Sequence, residues 1–215
     1  MLRIAVVGDL SLQDPARLEN VMIRAAEDCD ILVQVGDMHP GYDVVKQHAV
    51  KKPNNVLAVP GNHDTEWDAT LGWPRQWNRD EPECHLAGID NSNDSFCDKD
   101  WLTVETALAA LEKGKPVILF VHKPLSDIVL GDGSESIHNM GEVHGGNADS
   151  KKLQGMVNGR DVLLVHGHYH AWSLMKPPYA DCLIEGRGGA APELGYTVIN
   201  VRAEGIVLHA VTLKP

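Results

Sequence analysis

The stretch Val56-Leu57-Ala58-Val59-Pro60-Gly61-Asn62-His63-Asp64 is an apolar run that breaks into a glycine-bearing polar turn. Four uncharged residues in a row suit a strand buried on both faces, and the proline and glycine that follow stop it. The same grammar occurs twice upstream, where Leu2 to Val7 runs into Gly8-Asp9 and Ile31 to Val35 runs into Gly36-Asp37. Between these runs the apolar spacing changes to a helical period. Asp14-Pro15 opens one helical stretch through about Asp28, as an N-cap followed by proline at the first helical position, and Tyr42 to Lys51 gives a second. The chain therefore begins as βαβαβ with parallel strands.

Working outward, Trp67 to Asp94 is rich in Trp, Pro, Asn and Asp and reads as a loop around one short strand, His85 to Ile89. Asp98 caps a helix through about Leu111 with Leu102, Leu108 and Leu111 as its apolar positions. Gly114 stops it, and Pro116 to Val121 forms a strand ending at His122. Ser126 to Asn147 is a long glycine-rich loop, Ala148 to Val157 a helix, and Asp161 to Val165 a strand ending at His166-Gly167-His168. The tail is expected to hold three or four antiparallel strands near Ser173, Leu183, Tyr196 and Val207. Without a linker or repeat to divide them, residues 1–215 are expected to form a single domain around one sizeable core.

A formal net charge of −11 supplies no cationic stripe for a phosphate backbone, so long nucleic acids are not expected as partners. The same acidity suits a protein that holds divalent cations, which bring the positive charge the chain lacks. Cys29, Cys84, Cys97 and Cys182 stand far apart with no CxxC pair, which disfavours a zinc–thiolate site and fits reduced cytosolic thiols. No apolar stretch approaches bilayer-spanning length, and Asp9 interrupts the apolar start, so it reads as a strand and not as a signal peptide. The expectation is a cytoplasmic protein with no membrane partner.

One Asp or His at a strand end is ordinarily a turn former or a satisfied core residue. Here the candidates recur in five motifs: Gly8-Asp9-Leu10-Ser11, Gly36-Asp37-Met38-His39-Pro40, Gly61-Asn62-His63-Asp64, Val121-His122-Lys123-Pro124 and Gly167-His168-Tyr169-His170. All stand at the C-terminal ends of apolar runs, where open α/β sheets gather their ligands. Their order and spacing over residues 1–170 resemble the calcineurin-like metallophosphoesterase superfamily. The resemblance implies an α/β fold, a four-layer α-β-β-α sandwich of two mixed sheets flanked by helices, with the metal site at strand C-termini. It implies two divalent ions (Mn, Fe or Zn), with Asp9 and His170 on the first, Asp37 bridging both, and Asn62, His122 and His168 on the second. Oxygen and nitrogen donors suit these metals. A bridging carboxylate holds such ions roughly 3.5–4 Å apart, close enough to share a hydroxide and clamp a phosphate. The implied activity is hydrolysis of a small phosphate ester by that hydroxide. His63 would stabilise the transferring phosphoryl group or protonate the leaving group, with Asp64 orienting its ring.

Two positions depart from the family pattern. Ser11 stands where an imidazole usually completes the first metal, which implies a weaker first site, and Pro40 replaces an aspartate that commonly lies behind the ligands. His39 is read as an exposed turn residue, and also as the nearest group able to compensate. His166 reads as a core or supporting residue, and His48, His85 and His209 as ordinary surface or strand residues. Candidate substrate contacts are Asn62 and His63 in the site, His138 and His144 in the glycine-rich loop, and Arg75 among Trp67, Trp73 and Trp77. A lid packing its own rings accounts equally for those tryptophans. Gly88-Ile89-Asp90-Asn91-Ser92 before a capped helix, with Gly195-Tyr196-Thr197-Val198 near the end, is similar to the branch holding cyclic-nucleotide and glycerophosphodiester phosphodiesterases. A phosphodiester is therefore the favoured substrate. A phosphomonoesterase or protein phosphatase using the same ligands stays open, as does a non-catalytic binding scaffold.

Overall fold

The three apolar runs of the first 60 residues pair in parallel, with Ile4 opposite Ile31 and Leu32 opposite Val56. The computed structural model describes residues 1–9, 15–39, 41–51, 55–129, 135–136, 139–168, 174–175, 182–185 and 195–213. In chain order these form β1 (Leu2–Val7), α1 (Pro15–Glu27), β2 (Ile31–Val35), α2 (Tyr42–Lys51), β3 (Val56–Val59), α3 (Trp67–Thr70), β4 (Trp77–Asp80) and β5 (His85–Gly88). There follow α4 (Asp98–Leu111), β6 (Val117–Phe120), β7 (Ile128–Val129), β8 (Glu135–Ser136), α5 (Ala148–Val157) and β9 (Val162–His166). The tail gives β10 (Leu174–Met175), β11 (Cys182–Glu185), β12 (Gly195–Arg202) and β13 (Gly205–Thr212).

Two mixed sheets result. The first has the order β13-β12-β1-β2-β3, and the second β10-β11-β9-β6-β5-β4. Strand alternation then sorts the side chains into layers. Ile4, Val6, Ile31 and Val33 of the first sheet meet Leu86, Ile118, Phe120 and Leu163 of the second. Their neighbours Ala5, Val7 and Leu32 turn outward to Val21, Met22 and Ala25 of α1 and Val45 of α2. On the other side Ala87, Leu119 and Leu164 cover Val104 and Leu108 of α4 and Leu153 of α5. This is an α-β-β-α stack, and each large side chain fully buried in it stabilises the fold by about 1.5–3 kcal/mol. The Trp77 indole crosses between the sheets: its N–H donates to the Ala58 carbonyl at 2.7 Å, and its ring lies 5.7 Å from that of Phe120.

Several elements differ from the sequence reading. The segment after residue 67 is more ordered than a loop, with the short helix α3 and then β4 paired antiparallel with β5. Trp77-Asn78-Arg79-Asp80 carries no aliphatic residue, so its alternating burial had no apolar period to betray it. In α4 the N-cap is Cys97, whose N–H donates to the Asp100 carboxylate at 2.9 Å, and Asp98 is the first helical residue. The buried face of α4 runs through Thr103, Val104, Ala107 and Leu108, whereas Leu102 is 63 % exposed. Two residues before Val104 is a rotation of roughly 200°, which puts Leu102 on the solvent side. The glycine-rich loop contains the small β7–β8 hairpin. In the tail the expected antiparallel strands are present, β10 pairing with β11 and β12 with β13, but β11 also runs parallel to β9, because residue pattern alone does not encode a second partner; Ser173 itself lies outside the described residues.

Candidate metal centre at the seam of the two sheets

β2 and β3 of the first sheet and β6 and β9 of the second end at the same edge of the sandwich, and the motif residues follow those ends. Asp37 and His122 are buried and His168 half-buried, and one donor atom from each lies within 4.8 Å of the others. The His122 ring reaches across the seam, its Nδ1 2.9 Å from the Val35 carbonyl. A carbonyl only accepts, so Nδ1 carries a proton, and in the neutral imidazole Nε2 then holds the lone pair. That lone pair faces the Asn62 amide oxygen at 2.9 Å, His168 Nδ1 at 3.2 Å and an Asp37 oxygen at 3.5 Å. These atoms gather a carboxylate oxygen, an amide oxygen and two imidazole nitrogens at one point, and oxygen plus imidazole nitrogen is the donor set of Mn, Fe or Zn. The residues fit a divalent ion.

The main chain is bent to achieve this. Asp9, Asp37 and His168 have φ of 52°, 55° and 75°, left-handed values that non-glycine residues adopt at a cost of about 1–3 kcal/mol each. Glycines allow the close approach. A Cβ on Gly36 would stand 2.2 Å from the His122 ring, and one on Gly61 would stand 2.1 Å from an Asp37 oxygen. Thus Gly36 and Gly61, which precede Asp37 and Asn62, keep free the space that the His122 ring and the Asp37 carboxylate occupy. Asp9 is buried beside the group, and its two oxygens accept the His168 main-chain N–H at 3.0 and 2.9 Å. Asp9 and His168, 159 residues apart, are thereby drawn together across the seam. Ser11, Pro40, His138 and His170 lie outside the described residues.

His63 is exposed, and its N–H donates to Asp37 at 3.0 Å. Asp64 differs from its expected role: buried, it accepts Met38 N–H (2.8 Å), His39 N–H (3.0 Å), the Tyr42 hydroxyl (3.0 Å) and Gly61 N–H (2.8 Å). Among the described residues no bond joins it to the His63 ring. Its carboxylate instead ties the turn after β2 to the turn after β3, and burial, helped by this carboxylate, holds the Tyr42 hydroxyl far above its ordinary pKa. Arg75 also differs, since its guanidinium is paired with Asp68 and with Asp90 at 3.0 and 2.9 Å and so is committed within the protein. Trp67 is fully buried and bonds to the Trp73 carbonyl, so that ring packs inward. His144 is exposed and sits 2.5 Å from the Asp127 carboxylate, which also accepts from Asn139 and Gly145 and so organises residues 139–147. His39 is exposed and packs on the Tyr42 ring.

Of the two readings of His85, the strand residue holds: it opens β5 and is buried, with Nε2 2.9 Å from the Asn78 side chain. His166 is fully buried, and desolvation pushes its pKa down to about 4, which keeps it neutral behind the site. A cavity of about 690 Å³ opens at the opposite end of the sandwich, lined by Pro82, Lys115, Asp161 and Arg202 among others, and holds none of the motif residues. Two participants escaped the sequence reading, the Val35 carbonyl and Asn91, which accepts the His122 N–H at 3.0 Å. A carbonyl has no sequence signature. Asn91 follows an apolar run, as the ligands do, and that was the signal available.

A two-sheet α/β sandwich with carboxylate and imidazole groups gathered where its strands end is the architecture expected of a metallophosphoesterase. Residues 2–172 match the calcineurin-like phosphoesterase family, and the chain belongs to that family. Among solved structures, a dimetal phosphatase from Danio rerio superposes with a TM-score of 0.69 at 11% identity, covering 97% of this chain and 95% of that one. The NAD nucleotidase of Haemophilus influenzae superposes with a TM-score of 0.51 at 13% identity, covering 99% of this chain and 55% of that one. At these identities the likeness is one of fold. No curated protein matches the chain.

Proposed function

We propose that the chain is a metal-dependent hydrolase of small phosphate esters, with a phosphodiester as the favoured substrate, and that residues 1–215 form its single domain. The observation that carries the reading is the convergence of the Asn62 oxygen, His168 Nδ1 and Asp37 on Nε2 of His122. Asn62, His122 and His168 would hold one ion, Asp9 and His170 the other, and Asp37 both. When bound, such ions supply Lewis acidity toward the phosphoryl oxygens and ionise a water near neutral pH. His63, exposed beside Asn62, is positioned by its N–H on Asp37 to meet a phosphoryl oxygen or the leaving group. The first ion, with Ser11 in place of an imidazole, is the weaker.

No helix of the described residues is long and apolar enough to cross a membrane. The net charge of −11 disfavours long polynucleotides and favours small phosphodiesters.

Hydrolysis of a chromogenic diester and a chromogenic monoester with added Mn²⁺ tests the reading. Turnover should require the metal, favour the diester and vanish on chelation, and calorimetry should resolve two sites of unequal affinity. If Mn²⁺-loaded protein hydrolyses no member of a broad phosphoester panel, the enzyme reading falls and a binding scaffold takes its place.

A further inference from the structure

Past Phe120 the ladder between β5 and β6 loses its main-chain partner. The Ile89 N–H donates to the Phe120 carbonyl at 3.1 Å, after which the chain following β5 turns away into residues 90–97. On the other side the ladder continues, with Val121 N–H on the Val165 carbonyl and Gly167 N–H on the His122 carbonyl, both at 3.0 Å. The His122 and Lys123 N–H groups face the deserted side. Both are taken by one atom: Asn91 Oδ1 accepts His122 N–H at 3.0 Å and Lys123 N–H at 2.9 Å. The Asn91 amide N–H in turn donates to the Lys123 carbonyl at 2.7 Å. Asn91 is fully buried, so its carboxamide stands in for a strand that has left.

We propose that Asn91 is a positioning residue of the metal centre, fixing the His122 main chain so that the imidazole can present Nε2 to a cation. The inference rests on the metal reading of the site. His122 is gripped at two points, its ring by the Val35 carbonyl and its backbone by Asn91, and the two grips come from different sheets. Lys123 adds a third hold, its ammonium 2.8 Å from Asp94, whose carboxylate also accepts the Gly141 N–H. With the backbone and Nδ1 both committed, Nε2 is the remaining donor atom of this side chain and its direction is set. Removing the carboxamide leaves two buried N–H groups without an acceptor, and the segment must shift to satisfy them. The imidazole moves with it.

Calorimetric titration of Mn²⁺ into wild-type protein, Asn91→Ala and Asn139→Ala tests this without reference to turnover, with circular dichroism to check that each variant is folded. Asn139 is an equally buried asparagine in the same region that bonds to Asp127 and to the Val143 main chain, not to His122. Asn91→Ala should weaken one Mn²⁺ site by about 10–100-fold, the range for groups that orient metal ligands. Asn139→Ala should lower thermal stability and leave Mn²⁺ affinity unchanged. Wild-type affinity in Asn91→Ala, or an equal loss in Asn139→Ala, overturns the proposal while the metal reading stands. Wild-type protein that binds no Mn²⁺ overturns both. Should Asn91→Ala not fold, Asn91→Leu fills nearly the same space without an acceptor for the His122 and Lys123 N–H groups; weaker Mn²⁺ binding supports the role, and unchanged binding removes it.

Discussion

His122 is fixed by its ring on Val35 and by its main chain on Asn91, whereas His63 is exposed and fixed through its N–H on Asp37. Replacing them should therefore have different consequences. His63→Ala is expected to lower turnover by about 10²- to 10⁴-fold, the usual contribution of a positioned acid or base, with metal content near that of the wild type. His122→Ala should lose the ion it helps to hold. Metal analysis after gel filtration, alongside turnover, separates the two, and equal metal loss in both variants would remove the role given to His63. The residues whose side chains converge were legible in the sequence, because Asp, Asn and His after apolar runs carry their chemistry in the side chain. Asp64 was legible as important but not in its role. Three of its four donors are the main-chain N–H groups of Gly61, Met38 and His39, and no letter of the sequence marks which N–H groups a fold will bring to a carboxylate.

At the scale of the element, α4 shows where periodicity misleads. Leu102, Leu108 and Leu111 invite a single apolar face, yet the buried stripe is centred on Val104 and Leu108, and Leu102 faces water. Leu108→Ala should cost about 2–5 kcal/mol in a urea unfolding series, as truncation in a packed core does. Leu102→Ala should shift stability by no more than about 0.5 kcal/mol. A large loss from Leu102→Ala would place that side chain in an interface. The βαβαβ start was legible because each run ends in a glycine-bearing turn and the helices between have a clear period. β4 was not, since its alternation is carried by Trp77 and Arg79 against Asn78 and Asp80, and polarity hid the strand. The antiparallel pairing of β11 with β10 was legible, but its parallel pairing with β9 was not, since a second partner is chosen by the neighbour the strand meets in space.

For the whole molecule, the two sheets share an interior and meet the candidate ions at one edge, so binding and folding are linked. Anything that binds the native state alone stabilises it, by about 2.7 kcal/mol when the free ligand stands at 100 times its Kd. Mn²⁺ at that concentration should raise the melting temperature in a calorimetric scan, chelation should reverse the rise, and His122→Ala should blunt it. An unchanged melting temperature would show that the ion does not prefer the folded chain. The reach of His122 from the second sheet to the Val35 carbonyl of the first gives this linkage a mechanical sense. The sandwich is a book of two leaves whose outer margins are fastened by the same few side chains that would grip the ion. Anything that lets the leaves slide, such as a void beneath Phe120 or a lost indole bridge at Trp77, would loosen the fastening from a distance. Variants with every motif residue intact could thus present as failures of metal loading.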